Sequence, residues 1–393
     1  MVGMTGRQLA KTRVYLDWNA TAPMRPQAKA AMLQAMDLQG NPSSIHAEGR
    51  AARKIIEDAR ANIAKALGAR SADVVFTSGG TEANALALMP GLRRDRDVAT
   101  RLIVSAIEHA SVRSGGRFPV EDIQTAPVTP AGVVDLERLR ALLADGAPAL
   151  VSVMLANNET GAIQPIAEIA ELVHAAHGIL HVDAVQGFGK INIDINKLGA
   201  DLLSISAHKI GGSKGVGALV LTERVTGFEP FITAGGQEKG RRGGTENLPG
   251  IAAFGAAVAA HLETGAAAMA RMQKLRSKFE AGLRAVTPEL VIFSSDVPRV
   301  PNTTLFAAPG MKAETAVIAF DLEGMAVSSG SACSSGKVHA SPVLTAMGVK
   351  PEVAQGAVRL SLGWDTTEAE IQYLLEAWIS LSNVLVKGTD AVA

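Results

Sequence analysis

Cysteine is nearly absent from this chain: Cys333 is the only one among 393 residues, so no internal disulfide can form. Its thiol must serve either as a small packed side chain or as a reactive group. Net charge is absent as well, because 38 basic and 38 acidic residues balance and are spread along the chain. This distribution gives no basic surface typical of nucleic-acid binding, so we expect small molecules or proteins as the direct partners.

Long apolar runs are also missing. The chain has no stretch of roughly 18 or more consecutive apolar residues, and its opening residues lack the apolar core of a secretory signal. We therefore expect no membrane span and a cytoplasmic location. With 47% hydrophobic residues the chain can bury a large core, which predicts a soluble globular protein of one large or two ordinary domains.

Apolar runs rich in β-branched residues alternate with amphipathic stretches between about residues 70 and 225, a pattern that predicts βαβ units around a mostly parallel sheet. One amphipathic segment is predicted to be a crossover helix that starts at Pro165 and has a left-handed cap at Gly178. Catalytic groups are expected at the carboxyl ends of the strands. The strands are predicted at residues 73–76, 102–105, 149–155, 179–182, 201–206 and 216–221.

The last third of the chain has a different pattern. An Ala-rich stretch from about Leu248 to Val286 is predicted to be one long helix, and a final helix is predicted near residues 367–386. Short strands are predicted around Val291, Thr303 and Arg359. The pattern predicts a smaller α+β domain joined by the long helix. The expected division is a large domain of residues 15–262 and a small domain of residues 1–14 and 263–393.

A Gly-rich turn separates a strand from a helix in the segment VVFTSGGTEANALAL, with the helix predicted to begin near Glu82. Such a turn directs free backbone amides and the helix dipole toward an anion, and the Thr81 hydroxyl is a further donor. We interpret it as a candidate phosphate site. The pattern is neither the Walker motif nor GxGxxG, and a turn of this kind on its own is more often only a turn.

Two more polar groups follow predicted strands. Asp183 comes directly after a buried strand, with Gln186 three residues on, so that both could reach one ligand, although Asp183 could instead cap a helix. Lys209 is flanked by Ser206, His208 and a Gly-rich loop, where partial desolvation favours Schiff-base chemistry; a surface lysine is the alternative. A phosphate cradle, a carboxylate at a strand end and such a lysine are the parts of a pyridoxal phosphate site.

Ten motifs, in order from about Tyr15 to Trp364, resemble the NifS/IscS branch of the cysteine desulfurase family, which is one of the class V aminotransferase-like enzymes. The motifs are YLDWNATAP, NPSSIHAEGR, FTSGGTEAN, EHASV, NNETGAIQP, HVDAVQ, SAHKIGG, RRGGTEN, SSGSACSSG and VRLSLG. The resemblance implies an α/β fold of fold-type I, with a mostly parallel sheet in a large cofactor-binding domain and a smaller α+β domain. It also implies an enzyme that uses pyridoxal 5'-phosphate to convert L-cysteine to L-alanine, with the sulfur held as a persulfide on Cys333.

The resemblance implies roles for individual residues. Lys209 would bond covalently to the cofactor aldehyde, Asp183 would pair with the pyridine nitrogen, and His109 would stack on the ring. The other implied contacts are Asn158 and Gln186 at the phenolic oxygen, Gly80, Thr81, Ser206 and His208 at the phosphate, and Thr245 at the phosphate of the neighbouring subunit. The last of these implies a homodimer.

Substrate and sulfur have their own implied residues. Arg359 would grip the substrate carboxylate, a role that suits a planar bidentate donor, and Asn158 would be a second contact. From the residues alone, Arg359 would be taken for a member of a surface ion pair. The polar Ser/Gly setting of Cys333 disfavours a packed role, and its thiolate would arise either by local stabilisation or with help from His109.

The partners and rival functions follow from the same residues. The expected acceptor is an iron–sulfur scaffold or another sulfur-acceptor protein, for general cluster assembly, nitrogenase or tRNA thiolation. Cys333 could also be a transient iron–sulfur ligand, but no permanently bound metal is expected, because His174, His177 and His181 are divided between a helix and the next strand. A selenocysteine lyase or related lyase is the alternative enzyme, and an inactive scaffold protein is the alternative class; Cys333 favours the desulfurase.

Overall fold

The computed structural model describes residues 13–144, 146–330 and 341–386. Its helices in these ranges are α1 (Pro26–Met36), α2 (Ala47–Leu67), α3 (Gly80–Ala87), α4 (Ala110–Arg113), α5 (Leu136–Ala144), α6 (Ile166–Ala175), α7 (Ile195–Leu198), α8 (Leu248–Val286), α9 (Ala313–Leu322), α10 (Pro342–Ala346), α11 (Pro351–Ala354) and α12 (Glu368–Leu385). Its strands are β1 (Val14–Tyr15), β2 (Val74–Thr77), β3 (Arg93–Arg94), β4 (Asp97–Val98), β5 (Arg101–Ser105), β6 (Ile123–Ala126), β7 (Ala149–Met154), β8 (Ile179–Asp183), β9 (Leu202–Ser206), β10 (Gly217–Leu221), β11 (Val225–Thr226), β12 (Val291–Ile292), β13 (Thr303–Ala307), β14 (Met325–Ala326), β15 (Ser328–Ser329) and β16 (Val358–Ser361).

The central sheet has seven strands in the order β2-β10-β9-β8-β7-β5-β6. Strand β10 is antiparallel to both of its neighbours, and every other pairing in the sheet is parallel. The predicted mostly parallel sheet is therefore confirmed, and it contains all six predicted strands. Sequence reasoning missed the edge strand β6, because its residues IQTA are mostly only half-buried and give no apolar run.

Side-chain alternation explains why this sheet is buried on both faces. On β9, Leu203 and Ile205 pack into one hydrophobic cluster, while Leu202 packs into the cluster on the opposite face. Successive side chains of a strand point to opposite faces, so a strand covered on both sides must be apolar along its whole length. Helices therefore cover both faces, and the polar residues that end each strand collect at one edge.

The predicted crossover helix is observed as α6, but its predicted cap is wrong. The left-handed residue after the helix is His177, with φ of 58°, and not Gly178. A Cβ atom at Gly178 would lie 2.8 Å from the carbonyl oxygen of Ala149. Glycine is needed there because the chain passes close to β7, and not because of its own backbone conformation.

A second sheet of four antiparallel strands, in the order β12-β13-β16-β15, packs with α9 and α12 in a separate hydrophobic cluster. The final helix is confirmed as α12, which starts with a capping box between Thr367 and Glu370. The N-terminal segment joins this unit, because β1 pairs with β14 and Asp17 bridges to Ser361 on β16. That arrangement places the YLDWNATAP motif between the two sheets.

The long helix α8 runs through both units. Phe254 and Val258 pack in the core of the seven-stranded sheet, whereas Leu275 and Phe279 pack in that of the four-stranded sheet. Among the described residues, α8 has the length and composition of a membrane span, but 56% of its most apolar window is buried inside the protein. The division of the chain at residue 262 falls within this helix and stays a prediction, and residues 1–12 lie outside the described ranges.

Candidate active site

The Gly-rich turn after β2 leads directly into α3, which begins at Gly80 and not near Glu82. A Cβ atom at Gly80 would lie 2.8 Å from Cγ2 of Val185, so only glycine lets the helix start approach the loop after β8 this closely. The Glu82 side chain instead accepts a hydrogen bond from the backbone amide of Ser78 at 2.7 Å. The start of α3 thus faces the ends of β8 and β9, as an anion site requires.

One cavity of about 240 Å³ lies at this edge of the sheet. The predicted site residues that line it are Gly80, Thr81, His109, Asn158, Asp183, Gln186, Ser206, His208 and Lys209. Three predicted residues are not in its lining. Thr245 is exposed on the segment before α8, Arg359 lies on β16, and Cys333 is outside the described residues.

Lys209 ends a 3-10 turn that continues β9. Its Nζ donates to the backbone carbonyl of Asn19 at 2.5 Å and to that of Ala20 at 2.8 Å. The side chain lines the cavity, so the alternative of a lysine in a surface loop is wrong. Two backbone carbonyls thus hold the amine at the cavity wall, where it can react with the carbonyl group of a ligand.

Asp183 is the buried last residue of β8. Its Oδ1 accepts from the backbone amide of Val185 at 3.0 Å, and its Oδ2 accepts from Nδ2 of Asn84 at 2.8 Å. Burial raises the pKa of Asp183, and these hydrogen bonds and the electrostatic interactions with His109 and Lys209 oppose that rise. Sequence reasoning missed Asn84, which lies in the TEAN part of its motif, one helical turn into α3.

His109 precedes α4 as its N-terminal cap. Its Nδ1 accepts from the backbone amide of Ser111 at 3.2 Å, so in the neutral ring the proton lies on Nε2. Burial and the charge of Lys209 lower the pKa of His109, against the opposing field of Asp183. The imidazole is therefore neutral near pH 7 and can donate from Nε2.

Glu108 is a buried acid that sequence reasoning did not single out. One of its oxygens, Oε1, accepts from the Ser105 hydroxyl and from the backbone amide of Met154, and Oε2 has no hydrogen-bond partner among the described residues. Burial, with a contribution from the charge of Asp183, raises the pKa of Glu108 to about 8. The group is thus a neutral acid near pH 7, directly before His109 in the chain.

Arg359 is buried, with 3% of its surface exposed, so the interpretation of this residue as part of a surface ion pair is wrong. Its Nη2 donates to Oδ1 of Asp17 at 2.7 Å, and its Nη1 donates to the backbone carbonyl of Asn158 at 3.0 Å. The Nε atom is buried and has no hydrogen-bond partner in the described part of the chain. Sequence reasoning missed Asp17, although it belongs to the YLDWNATAP motif.

The four other candidate histidines each have hydrogen-bond or ion-pair partners of their own. His208 contacts the Thr21 hydroxyl at 3.2 Å, and burial together with Lys209 and Lys214 lowers its pKa to about 4, which keeps it neutral. His181 lies buried between the hydroxyls of Ser152 and Ser204. Of the other two candidates, His174 pairs with Asp201 and His177 pairs with Asp97. Within the described ranges, no cluster of three or more metal-ligand side chains occurs.

Comparisons with known proteins extend over almost the whole chain. The family model described as Aminotransferase class-V matches residues 14–374. A cysteine desulfurase of Cereibacter sphaeroides is 42% identical over 93% of this chain and 94% of that protein, and a cysteine desulfurase IscS of Dictyoglomus turgidum is 39% identical over 93% of each. This chain belongs to the cysteine desulfurases of the class V aminotransferase family. A NifS-like protein of Rickettsia africae, solved by X-ray crystallography, is 38% identical, covers 95% of this chain and 100% of its own, and superposes with a TM-score of 0.84.

Cysteine desulfurases of this family use pyridoxal phosphate, and the cavity fits that cofactor. It combines a helix start with free amides, the Thr81 hydroxyl, a buried carboxylate and a lysine amine on one wall. Oδ1 of Asn84 is also buried without a hydrogen-bond partner among the described residues. Buried polar atoms normally have a hydrogen-bond partner. The unpartnered oxygen beside Asp183 therefore fits a site that binds a polar ring.

Proposed function

We infer that this protein is a pyridoxal-phosphate-dependent cysteine desulfurase, which takes the sulfur of L-cysteine, releases L-alanine and passes the sulfur to an acceptor protein. The observation that carries this conclusion is the meeting of Lys209 and buried Asp183 in one cavity of a chain that belongs to this family. Arg359 lies beside that cavity and bonds to the backbone of one of its lining residues, Asn158. The amine, the carboxylate and the guanidinium are the groups needed to bind the cofactor and the substrate.

Each cofactor contact is assigned to a residue of the cavity. Lys209 would hold the aldehyde, Asp183 would pair with the pyridine nitrogen, and His109 would lie against the ring. Asn84 keeps Asp183 oriented through their 2.8 Å hydrogen bond. The remaining contacts are Asn158 and Gln186 at the phenolic oxygen, Gly80, Thr81, Ser206 and His208 at the phosphate, and Thr245 at the phosphate of the neighbouring subunit. When bound, pyridoxal phosphate supplies an electron sink for the negative charge that develops at the substrate α-carbon.

Arg359 binds the carboxylate of L-cysteine, with Asn158 as the second contact. A buried guanidinium whose Nε lacks a partner among the described residues gains more from an incoming anion than an exposed one would. Its bond to Asp17 at 2.7 Å fixes the plane of the guanidinium before the substrate arrives. Once the substrate amine has displaced it from the cofactor, the freed amine of Lys209 would remove the α-proton of the bound amino acid.

In this proposal the Cys333 thiolate attacks the sulfur of the substrate, so that an S–S bond forms as the carbon–sulfur bond of L-cysteine breaks. The electron pair of the broken bond leaves with the carbon skeleton, which takes up protons to become L-alanine, and the sulfur stays on Cys333 as a persulfide. The described residues on either side of its segment support the assignment. The backbone amide of Gly330 donates to the carbonyl of Ala357 at 3.2 Å, close to Arg359 in the chain, and the Ser341 hydroxyl donates to buried Glu159 at 2.6 Å. The Cys333 thiolate arises either because the pKa of the thiol is lowered or because His109 helps to move the thiol proton.

The partners complete the proposal. We assign the protein to a cytoplasmic homodimer that delivers sulfur to an iron–sulfur scaffold or another sulfur-acceptor protein. Cys333 can serve as a transient iron–sulfur ligand during that transfer. Neither nucleic acid nor a membrane is a direct partner in this assignment.

Product analysis tests the activity. The protein, loaded with pyridoxal phosphate and supplied with a reductant, is expected to form alanine and sulfide from L-cysteine in equal amounts. Lys209→Ala should lower that rate by roughly 10³-fold, because the proton acceptor is lost, whereas the exposed Lys197→Ala should leave it unchanged. Turnover of L-selenocysteine without turnover of L-cysteine would overturn the desulfurase assignment in favour of a selenocysteine lyase.

A further inference from the structure

Lys190 is a buried lysine that no step of the proposed reaction uses. Only 6% of its surface is exposed. Its Nζ donates to Oδ1 of Asn19 at 2.7 Å and to Oε1 of Gln186, so both of these acceptors are amides and neither is a carboxylate. Burying an ammonium group without a paired acid costs free energy, so fold stability alone gives no reason for a lysine here.

The charges around Lys190 increase that cost. Lys209, on the turn after β9, and Arg359, on β16, are the charged groups that act on it, and both are positive. Burial and these two charges lower the pKa of Lys190 well below its ordinary value. Lys190, Lys209 and Arg359 thus place three basic side chains next to the proposed cofactor site.

Asn19 connects Lys190 to the cavity. The backbone carbonyl of Asn19 accepts from Nε2 of Gln186 at 2.9 Å and from Nζ of Lys209 at 2.5 Å. Its Nδ2 donates to the backbone carbonyl of Asn158 at 3.2 Å. Lys190, Gln186 and Lys209 thus converge on a single residue that is 1% exposed.

The bond from Lys190 gives the amide of Gln186 one orientation. The Nζ of Lys190 donates to the oxygen of Gln186, so the amide nitrogen faces Asn19 and the cavity that Gln186 lines. Without this bond, the Asn19 carbonyl alone would hold the amide nitrogen in place. A rotation of the amide would then present an acceptor to the cavity where it now presents a donor.

We propose that Lys190 is a positioning residue for the cofactor, which turns the amide nitrogen of Gln186 toward the phenolic oxygen and fixes the Asn19 carbonyl that holds Lys209. The proposal rests on the proposed function, because it requires pyridoxal phosphate in the cavity. An amide N–H that donates to a phenolic oxygen favours the anionic form of that oxygen. Removal of Lys190 therefore weakens cofactor binding and makes protonation of the bound cofactor easier.

Two measurements on the resting protein test this, and neither depends on turnover. In Lys190→Met, which keeps the length of the side chain, we expect the dissociation constant of pyridoxal phosphate to rise about tenfold, the effect of one lost hydrogen bond. The midpoint pH of the visible cofactor band should rise by roughly one unit. Lys197→Met, an exposed lysine of α7, is the matched control and should change neither quantity.

A double-mutant cycle decides whether Lys190 acts through Gln186. In a Gln186→Met background, Lys190→Met should add little to either quantity, since the amide that it orients is already gone. Lys190→Gln, which keeps a donor without the charge, should restore part of the affinity and serves if Lys190→Met does not fold. If the two mutations are additive, the route through Gln186 is wrong.

The structural alternative gives a different pattern. A lysine that only supports the fold would lower the melting temperature and leave both the dissociation constant and the midpoint pH of the correctly folded variant unchanged, and that result would overturn the proposal. A wild-type protein that binds no pyridoxal phosphate would instead refute the proposed function itself. Wild-type alanine formation with an unchanged Lys190→Met spectrum would refute only the role of Lys190.

Discussion

The two walls of the cavity are built in different ways. The cradle wall, formed by Gly80, Thr81, Asp183, Ser206 and His208, follows the ends of β2, β8 and β9 in one sheet. The arginine wall lies beside the cavity and meets its lining at Asn158. It joins the N-terminal segment, the central sheet and the four-stranded sheet, and its residues are Asp17, Asn19, Asn158, Lys190 and Arg359. Its residues are far apart in the chain, with 342 positions between Asp17 and Arg359.

The walls also differ in charge. The cradle wall offers backbone amides, hydroxyls and a histidine that burial keeps neutral, with a pKa of about 4. The arginine wall brings the basic side chains of Lys190 and Arg359 close to Lys209, and Arg359 pairs with the carboxylate of Asp17. Dipoles and neutral donors suit a phosphate at a helix start, whereas concentrated positive charge suits a small carboxylate. Each wall should therefore control the affinity of a different ligand.

Removal of the charge from the arginine wall should have the largest effect. In Arg359→Gln, we expect the KM for L-cysteine to rise about a hundredfold, because a charge-assisted bidentate contact in a buried site is lost. The dissociation constant of pyridoxal phosphate should change less than threefold. Steady-state kinetics and a cofactor titration measure the two values. Equal losses in both would show that the walls are not separate.

The second contrast is between two acids: Asp17 is partly exposed and pairs with Arg359, whereas buried Glu108 has no cationic partner among the described residues. Burial raises the pKa of Glu108 to about 8 from 4.5, so its contribution to stability is full below pH 4.5 and is lost as the pH rises through 8. Between pH 6 and pH 9, this loss should cost roughly 2 kcal/mol of the free energy of unfolding.

Glu108→Gln should remove that part of the pH dependence, and the test is urea unfolding at both pH values. Glu159 must be tested in parallel as Glu159→Gln, because burial raises the pKa of Glu159 to about 7 and it titrates in the same range. An unchanged slope in the Glu108 variant would mean that its carboxyl is ionised in the folded protein.

The cradle wall should give the smallest and most selective effect. Thr81→Val removes one hydroxyl at nearly constant volume, so the dissociation constant of pyridoxal phosphate should rise about tenfold. At saturating cofactor, the KM for L-cysteine should stay within a factor of two of the wild-type value. Thr226→Val, at an exposed position of β11, is the control. A change in KM larger than the change in cofactor affinity would contradict the division of labour.

The same contrast explains what the sequence could predict. Strand runs, the Gly-rich turn, Asp183 and Lys209 are local patterns, and each was predicted from the residues that surround it. The parallel sheet then brings the ends of its strands to one edge, so local prediction was sufficient for most of the cradle wall. Asn84 and Glu108 were missed there because their partners are set by packing and not by spacing.

The arginine wall depends on contacts between distant segments. Arg359 came from the resemblance to a family, and its own short strand indicated only a surface ion pair. Asp17, Asn19 and Lys190 carry no local signal of function, because their roles come from hydrogen bonds across more than a hundred positions of the chain. Spacing within a motif cannot reveal such a network.

The most direct test of the central claim is the mass of the protein after reaction with L-cysteine in the absence of a reductant. We predict one added sulfur atom on the peptide that carries Cys333, alanine in equal amount, and no added sulfur in Cys333→Ser, which should still bind pyridoxal phosphate. Alanine formation by the wild type with no sulfur on that peptide, and equal alanine formation by Cys333→Ser, would contradict the account.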